Sequence, residues 1–241
     1  MRLVKDSWLF TRPIAHRGLW GDEIVENSLS AYQNAVDKGY PIEIDLYTSI
    51  DGVLFSFHDK SLTRMTGADG NIFEKDAQFI KSLSLLNSTE KIPTFDEVLS
   101  IVNGKVPLLI ELKDQPDKNY VDKVVERLKK YNGEFAIQSF NPMFINKVKK
   151  LAPSFIRGIL GTDDKDACES AFKRFIIRKM PLNCLVKPDF ISYRQNGLPL
   201  KKRKVKNKCV LAWTIIDQAE ADNAIKNGAD NIIFENFIPK V

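Results

Sequence analysis

Only two histidines and three cysteines occur among 241 residues. The cysteines, Cys168, Cys184 and Cys209, are odd in number, widely spaced and outside any Cys-x-x-Cys arrangement. That spacing argues against both a disulfide framework and a structural zinc site. It is the usage of a reducing compartment, so a cytoplasmic location is expected. The segment Met1 to Phe10 contains Arg2, Lys5 and Asp6 and offers no apolar stretch followed by a small-residue cleavage site, so no secretory leader is expected. No run approaches the ~20 apolar residues that span a bilayer, which leaves no basis for stable membrane insertion. Repeats, low-complexity tracts and linker-like stretches are also missing, so residues 1–241 are expected to form one domain.

What is present suits a folded α/β protein. Hydrophobic residues make up 44% and charged residues 28%, enough apolar material for a large core. Short apolar runs predict eight strands: Pro13–His16, Ile42–Leu46, Pro107–Leu112, Phe135–Gln138, Phe155–Ile159, Phe190–Tyr193, Val210–Trp213 and Ile232–Glu235. Helical spacing predicts helices over Ser28–Lys38, Tyr120–Lys130, Pro142–Leu151, Asp164–Lys179 and Gln218–Asn227. Eight strands alternating with helices favour a closed (β/α)8 barrel, a length of chain at which such barrels are common. Roughly sixty residues separate the second barrel strand from Pro107. There Asp51-Gly52 signals a turn and the run Val53–Phe57 a hairpin strand delivering His58, so a small insertion over about 52–105 is expected after strand two.

The net charge of +5 makes the surface mildly basic, which would steer anions towards it. The run Lys201-Lys202-Arg203-Lys204, extended by Lys206 and Lys208, falls where a barrel helix is expected and reads as a solvated face. No nucleic-acid-reading motif accompanies it, so nucleic acid is not an expected partner. Phe172, Phe175, Ile176 and Ile177 recur at helical spacing and are expected to face the barrel wall rather than a bilayer.

The chemistry-bearing residues collect at predicted strand ends, where barrel active sites form. Glu43 and Asp45 are two apart on a strand, so both carboxylates point to one face. Glu111 and Lys113 repeat that spacing on the next barrel strand. Carboxylates held so close repel unless a cation, a proton or basic side chains compensate them. Three carboxylates without a histidine make a hard oxygen site suited to one divalent cation, Mg²⁺ or Ca²⁺. The competing interpretation is a set of ion pairs with Arg17 and Lys113. His16-Arg17-Gly18 closes the first strand, with a glycine that permits a sharp turn and an arginine whose fork suits phosphate. Two imidazoles, His16 and His58, able to take and give protons near neutrality, point to hydrolysis.

These pieces resemble the glycerophosphodiester phosphodiesterase family. The resemblance is carried by Ile14-Ala15-His16-Arg17-Gly18, Glu26-Asn27-Ser28, Glu43-Ile44-Asp45, Asp51-Gly52, His58-Asp59, Leu62, Arg64, Thr66-Gly67, Pro93-Thr94 with Glu97, and Glu111-Leu112-Lys113. Ser139-Phe140, Trp213-Thr214 and Gly228-Ala229-Asp230 extend it over nearly the whole chain. It implies a TIM barrel that cleaves a small glycerophosphodiester to an alcohol and glycerol 3-phosphate with a divalent ion. It also implies roles: Glu43, Asp45 and Glu111 as metal ligands, His16 and His58 as the acid/base pair, Arg17 and Lys113 as phosphate contacts. Analogy with related barrel phosphodiesterases adds a route through a cyclic phosphate, although direct attack by water uses the same residues. Trp213, at the end of strand seven, is a candidate to pack against the glycerol moiety or is simply barrel lining.

Three departures bear on substrate fit: Leu19-Trp20 after the glycine, Val25 before Glu26-Asn27, and Phe234-Glu235-Asn236 at the last strand. Two alternatives use the same pocket. One is a phospholipase-like relative acting on lysophospholipid or polymeric glycerophosphate, the other a non-catalytic phosphoryl-ligand sensor.

Overall fold

The computed structural model describes residues 3–21, 23–164 and 170–240. Cys168 and the stretch 165–169 of the predicted Asp164–Lys179 helix lie outside them. Nine strands form within the described residues: β1 Ile14–His16, β2 Ile42–Thr48, β3 Leu54–Ser56, β4 Leu108–Leu112, β5 Phe135–Ser139, β6 Arg157–Gly161, β7 Phe190–Arg194, β8 Cys209–Ile215 and β9 Asn231–Phe234. Their order is β1-β9-β8-β7-β6-β5-β4-β2-β3, and β1 also pairs with β2, so eight strands return on themselves. The fold is the expected (β/α)8 TIM barrel. The extra strand, β3, is bonded antiparallel to β2 outside it. No helix among the described residues is long and apolar enough to cross a membrane.

Two compact units are distinguished, Ala15–Phe135 and Met1–Ile14 with Ala136–Val241. In the first, β2 is the organising strand. All seven of its residues are buried, because apolar Ile42, Ile44 and Leu46 alternate with Glu43 and Asp45 on a strand covered on both faces. It pairs parallel with β1, His16 opposite Glu43, and with β4, Asp45 opposite Glu111. Beyond Thr48 the chain turns through Gly52, at φ +89°, and returns as β3, with Leu46 opposite Ser56. The residues after β3 form a small core with Tyr47 of β2 and Phe55 of β3, made of Phe57, Leu62, Met65, Ile72, Ile80, Leu85 and Ile92.

Sequence periodicity did not predict the helix Phe95–Val102, which packs against the helix Leu29–Asp37. Its start is written in Thr94 and Glu97: the Thr94 hydroxyl accepts from the Glu97 amide while the Glu97 carboxylate accepts from the Thr94 amide. That reciprocal cap is a sequence-level start signal.

In the second unit, β5 to β9 run parallel, from Ile137 opposite Arg157 to Leu211 opposite Asn231, with a register shift between Ala212 and Ile215 of β8. β6 begins at Arg157 and not at the expected Phe155, because Phe155 lies in a turn closed by its amide on the Ala152 carbonyl. One expectation is overturned here. On the helix Ala171–Lys179, Phe172 and Phe175 are 71% and 52% exposed, and of the four residues only Ile176 and Ile177 are partly covered. The helix lies with its Ile177 backbone close over Gly161, and residues 172 and 175 fall on the opposite side of a 3.6-residue turn. Lys201, Lys202 and Arg203 are exposed, as expected of a solvated face.

Candidate active site

Seven of the eight predicted site residues lie within Ala15–Phe135, and strand register explains their convergence. Asp45 and Glu111 are direct partners on adjacent strands, and Glu43 sits two residues before Asp45 on the same face. Glu43, Asp45 and Glu111 are all buried and can each offer an oxygen such that these atoms lie within 4.8 Å of one another. Lys113 spans the group, with Nζ 3.2 Å from Asp45 Oδ1 and 3.0 Å from Glu111 Oε1.

Arg17 reaches the same carboxylates from the turn after β1. It adopts φ +59° and Gly18 φ +86°, and these two consecutive left-handed residues bring the chain back over the strand end. The Arg17 amide donates to Glu43 Oε2 at 3.3 Å. Its guanidinium donates to Glu26 Oε1 at 2.9 Å, and its Nε stands 3.9 Å from Asp45 Oδ2. His16 Nε2 is 3.9 Å from Glu43 Oε2. The departure Trp20 has a use here, since its indole N–H donates to the His16 carbonyl at 2.9 Å.

His58 follows β3 and is the more open imidazole. Its Nδ1 is 2.7 Å from Asp59 Oδ1. Arg64 donates to both Asp59 oxygens and, at 2.6 Å, to Glu26 Oε1. Alternating charges therefore join His58 to Arg17 through Asp59, Arg64 and Glu26. The adjacency of His58 and Asp59 was visible in sequence, but the bridge by Arg64 was not, because it depends on how the loop after β3 folds back.

Electrostatics follow from burial. Burial, with Asp45 and Glu111 alongside, pushes the Glu43 carboxyl well above the usual range. Burial opposes ionisation of Asp45 too, but Lys113, then His58, Arg17 and His16, outweigh it and hold Asp45 low. Lys113 is likewise disfavoured by burial and held charged by Asp45 and Glu111. Asp59 is depressed: burial acts against it, and the bonds to His58 and Arg64 prevail.

Further polar residues fix Asp45 in place. Asn27, at φ +53°, donates to Asp45 Oδ2 at 3.4 Å and accepts at 2.7 Å from the Tyr32 hydroxyl, which also lies 2.6 Å from Ser56 Oγ. Ser28 is the helix cap, its hydroxyl accepting from the Ala31 amide at 3.1 Å.

The residues present fit a hard divalent cation. The donors are carboxylate oxygens, and Asp45 Oδ1 is buried without a hydrogen bond. Three carboxylates face one ammonium and an arginine already engaged by Glu26, leaving negative charge in excess. The ion-pair interpretation is thus met only in part: Lys113 and Arg17 do pair with these acids, yet they do not balance them.

Trp213 lies in β8, in the other unit. Its ring meets Phe140 edge-on at 5.7 Å between centroids, and its indole N–H is buried without a hydrogen-bond partner.

A profile of the glycerophosphoryl diester phosphodiesterase family matches residues 16–238. The chain belongs to that family. Its members are hydrolases of glycerophosphodiesters. A glycerophosphodiester phosphodiesterase of Caldanaerobacter subterraneus subsp. tengcongensis is 28% identical over 94% of this chain and 94% of its own length. A human lysophospholipase D is 28% identical over 54% of this chain and 45% of its own. Among solved structures, an Oleispira antarctica phosphodiesterase in complex with the product sn-glycerol-3-phosphate is 26% identical, with a TM-score of 0.78 covering 94% of this chain and 93% of that one.

Proposed function

We propose that this phosphodiesterase releases an alcohol and glycerol 3-phosphate from small glycerophosphodiesters, with Glu43, Asp45 and Glu111 holding one divalent cation, Mg²⁺ or Ca²⁺, and His16 and His58 moving the protons. The observation that carries this reading is the gathering of three buried carboxylates, with oxygens within 4.8 Å of one another, beside His16 and close enough to His58 for its charge to act on Asp45. The product held by the Oleispira antarctica relative supports the substrate class.

A phosphodiester anion resists a nucleophile until positive groups offset its charge. A cation bound by the three carboxylates would supply Lewis-acid stabilisation of charge on the phosphoryl group. Lys113 and Arg17 carry the donors suited to the non-bridging oxygens. His16, at the end of β1, takes the proton from the attacking hydroxyl. That hydroxyl is either water or the substrate's own glycerol 2-OH, which gives a cyclic phosphate that water then opens to glycerol 3-phosphate with the two histidine roles reversed. His58 gives a proton to the departing alcohol. Asp59, held ionised by Arg64, accepts a hydrogen bond from Nδ1 of His58 and so leaves Nε2 as the atom that carries the transferred proton. Trp213 is assigned to packing against the glycerol moiety through its unpartnered indole.

The family match over residues 16–238 supports taking the chain as one catalytic domain. Its cysteine usage supports a cytoplasmic setting. Glycerol 3-phosphate release from glycerophosphocholine, with Mg²⁺ and Ca²⁺ compared, tests the reading. Release should vanish with chelator and in His16→Ala; binding of the diester without turnover would leave a sensor instead. Choline release from lysophosphatidylcholine, which would leave lysophosphatidic acid and no glycerol 3-phosphate, separates the lysophospholipase reading, which a human relative favours.

A further inference from the structure

The basic residues are distributed unevenly. From Ser170 to Lys208 there are twelve Lys or Arg and one acidic residue, Asp189, whereas the remainder of the chain holds 24 basic and 30 acidic side chains. Asp189 does not reach the surface; it is buried and accepts from the Arg157 amide at 3.1 Å. Upstream, Asp164 is engaged by Arg194. The chain's net positive charge therefore resides wholly in this segment.

The same segment carries an unusual helix. Tyr120–Leu128 buries five of its nine residues, but Ala171–Lys179, of equal length, buries none. Phe172, Phe175 and Lys179, spaced i, i+3 and i+7, share one exposed stripe. Lys204 donates to the Arg178 carbonyl at 3.2 Å, which fastens the basic helix Lys202–Val205 against the end of the aromatic one. Partial burial, and then the charges of Lys179, Arg203, Lys201 and Arg178, lower the affinity of Lys204 for a proton. Exposed aromatic rings edged by clustered cations have a definite complement.

We propose that the helix Ala171–Lys179 and the adjoining Lys201–Lys204 form a peripheral docking surface for a bilayer rich in anionic phospholipid. The phenylalanine rings enter the interface between headgroups and acyl chains, and the cations meet the lipid phosphates. A second copy of this chain would bring the same positive rim against itself and be repelled. Duplex nucleic acid would engage the cations and leave the phenylalanines without a role, whereas a single strand that stacked its bases on the rings would compete with the anionic vesicles for the same surface. The docking is reversible and shallow, since nothing here inserts deeply.

Full-length protein is centrifuged with unilamellar vesicles of phosphatidylcholine alone or of phosphatidylcholine and phosphatidylglycerol in equal parts. Sedimentation with the anionic vesicles only, reversed by high salt, is expected. The double variant Phe172→Ser/Phe175→Ser should lower that partition at least about tenfold. Lys202→Glu and Arg203→Glu should each lower it roughly fivefold or more. All keep wild-type turnover of glycerophosphocholine, which reports that they are folded. Failure to sediment with either vesicle, equal sedimentation with both, or retention of binding in the phenylalanine variant overturns the proposal. So does a concentration-dependent dimer that the phenylalanine variant abolishes.

Discussion

Asp45 and Glu111 stand opposite each other on neighbouring parallel strands, and one ammonium, that of Lys113, lies within 3.2 Å of Asp45 and 3.0 Å of Glu111. Two buried acids thus share one ammonium as their nearest cation. Removing it as Lys113→Met takes away the largest compensating charge, and losing one partner of a buried pair costs about 3–5 kcal/mol. Thermal unfolding of metal-free protein should show that loss as a lowered Tm. Added Mg²⁺ should restore most of it, because a bound cation replaces the missing charge. A Tm that fails to respond to Mg²⁺ or Ca²⁺ would show that the trio does not hold a metal.

His58 is assigned to the leaving group, and each positioned acid or base contributes roughly 10²- to 10⁴-fold. In His58→Ala, kcat on glycerophosphocholine should fall by a factor in that range. On a p-nitrophenyl ester, whose leaving group needs no proton, it should fall far less. Equal losses on the two substrates would remove His58 from this role.

Asp59 should mark the acid limb of stability. Its carboxyl is depressed in the folded protein, so it binds protons less readily there than when unfolded. Its contribution is therefore present in full above the ordinary aspartate value of ~3.9 and is lost as pH falls through and below it. Urea midpoints measured on metal-free protein should decline over that window. Asp59→Asn, which has no proton to gain, should flatten the decline and lie below wild type near neutrality. An unchanged acid slope would mean that Asp59 is not held by Arg64 and His58 in solution.

How much of the fold and the site was legible in the sequence depended on the range of the interaction concerned. Glu43, Asp45 and Glu111 were readable because a two-residue side-chain period is a local rule, and parallel register then brought Glu111 opposite Asp45. The helix Phe95–Val102 was readable in principle from its Thr94 and Glu97 cap, although its periodicity over eight residues is short. Arg64 was not readable as a link between Asp59 and Glu26, since 38 residues separate it from Glu26 and the loop geometry decides the contact. Phe172 and Phe175 show the opposite failure. Helical spacing grouped Phe172 and Phe175 with Ile176 and Ile177, but it cannot say which side of the helix faces the sheet, and here the Ile177 side does.

Gly18 ties backbone conformation to the site. It sits at φ +86°, and a Cβ there would stand 2.8 Å from Ala31 Cβ and 2.9 Å from the Ala31 carbonyl carbon. Gly67 is a natural control, since it shares a left-handed φ of +71° but a Cβ added to it would meet nothing within 4 Å. Gly67→Ala should therefore cost only the backbone term, about 1 kcal/mol. Gly18→Ala should cost more, because backbone atoms of the helix Leu29–Asp37 must also shift. Arg17 precedes Gly18 and holds Glu43 and Glu26 through the same turn, so kcat/KM should fall in Gly18→Ala and stay near wild type in Gly67→Ala. Urea unfolding and steady-state kinetics on the two variants make the comparison. Equal destabilisation with activity intact in both would mean that the turn at Gly18 is not what positions Arg17.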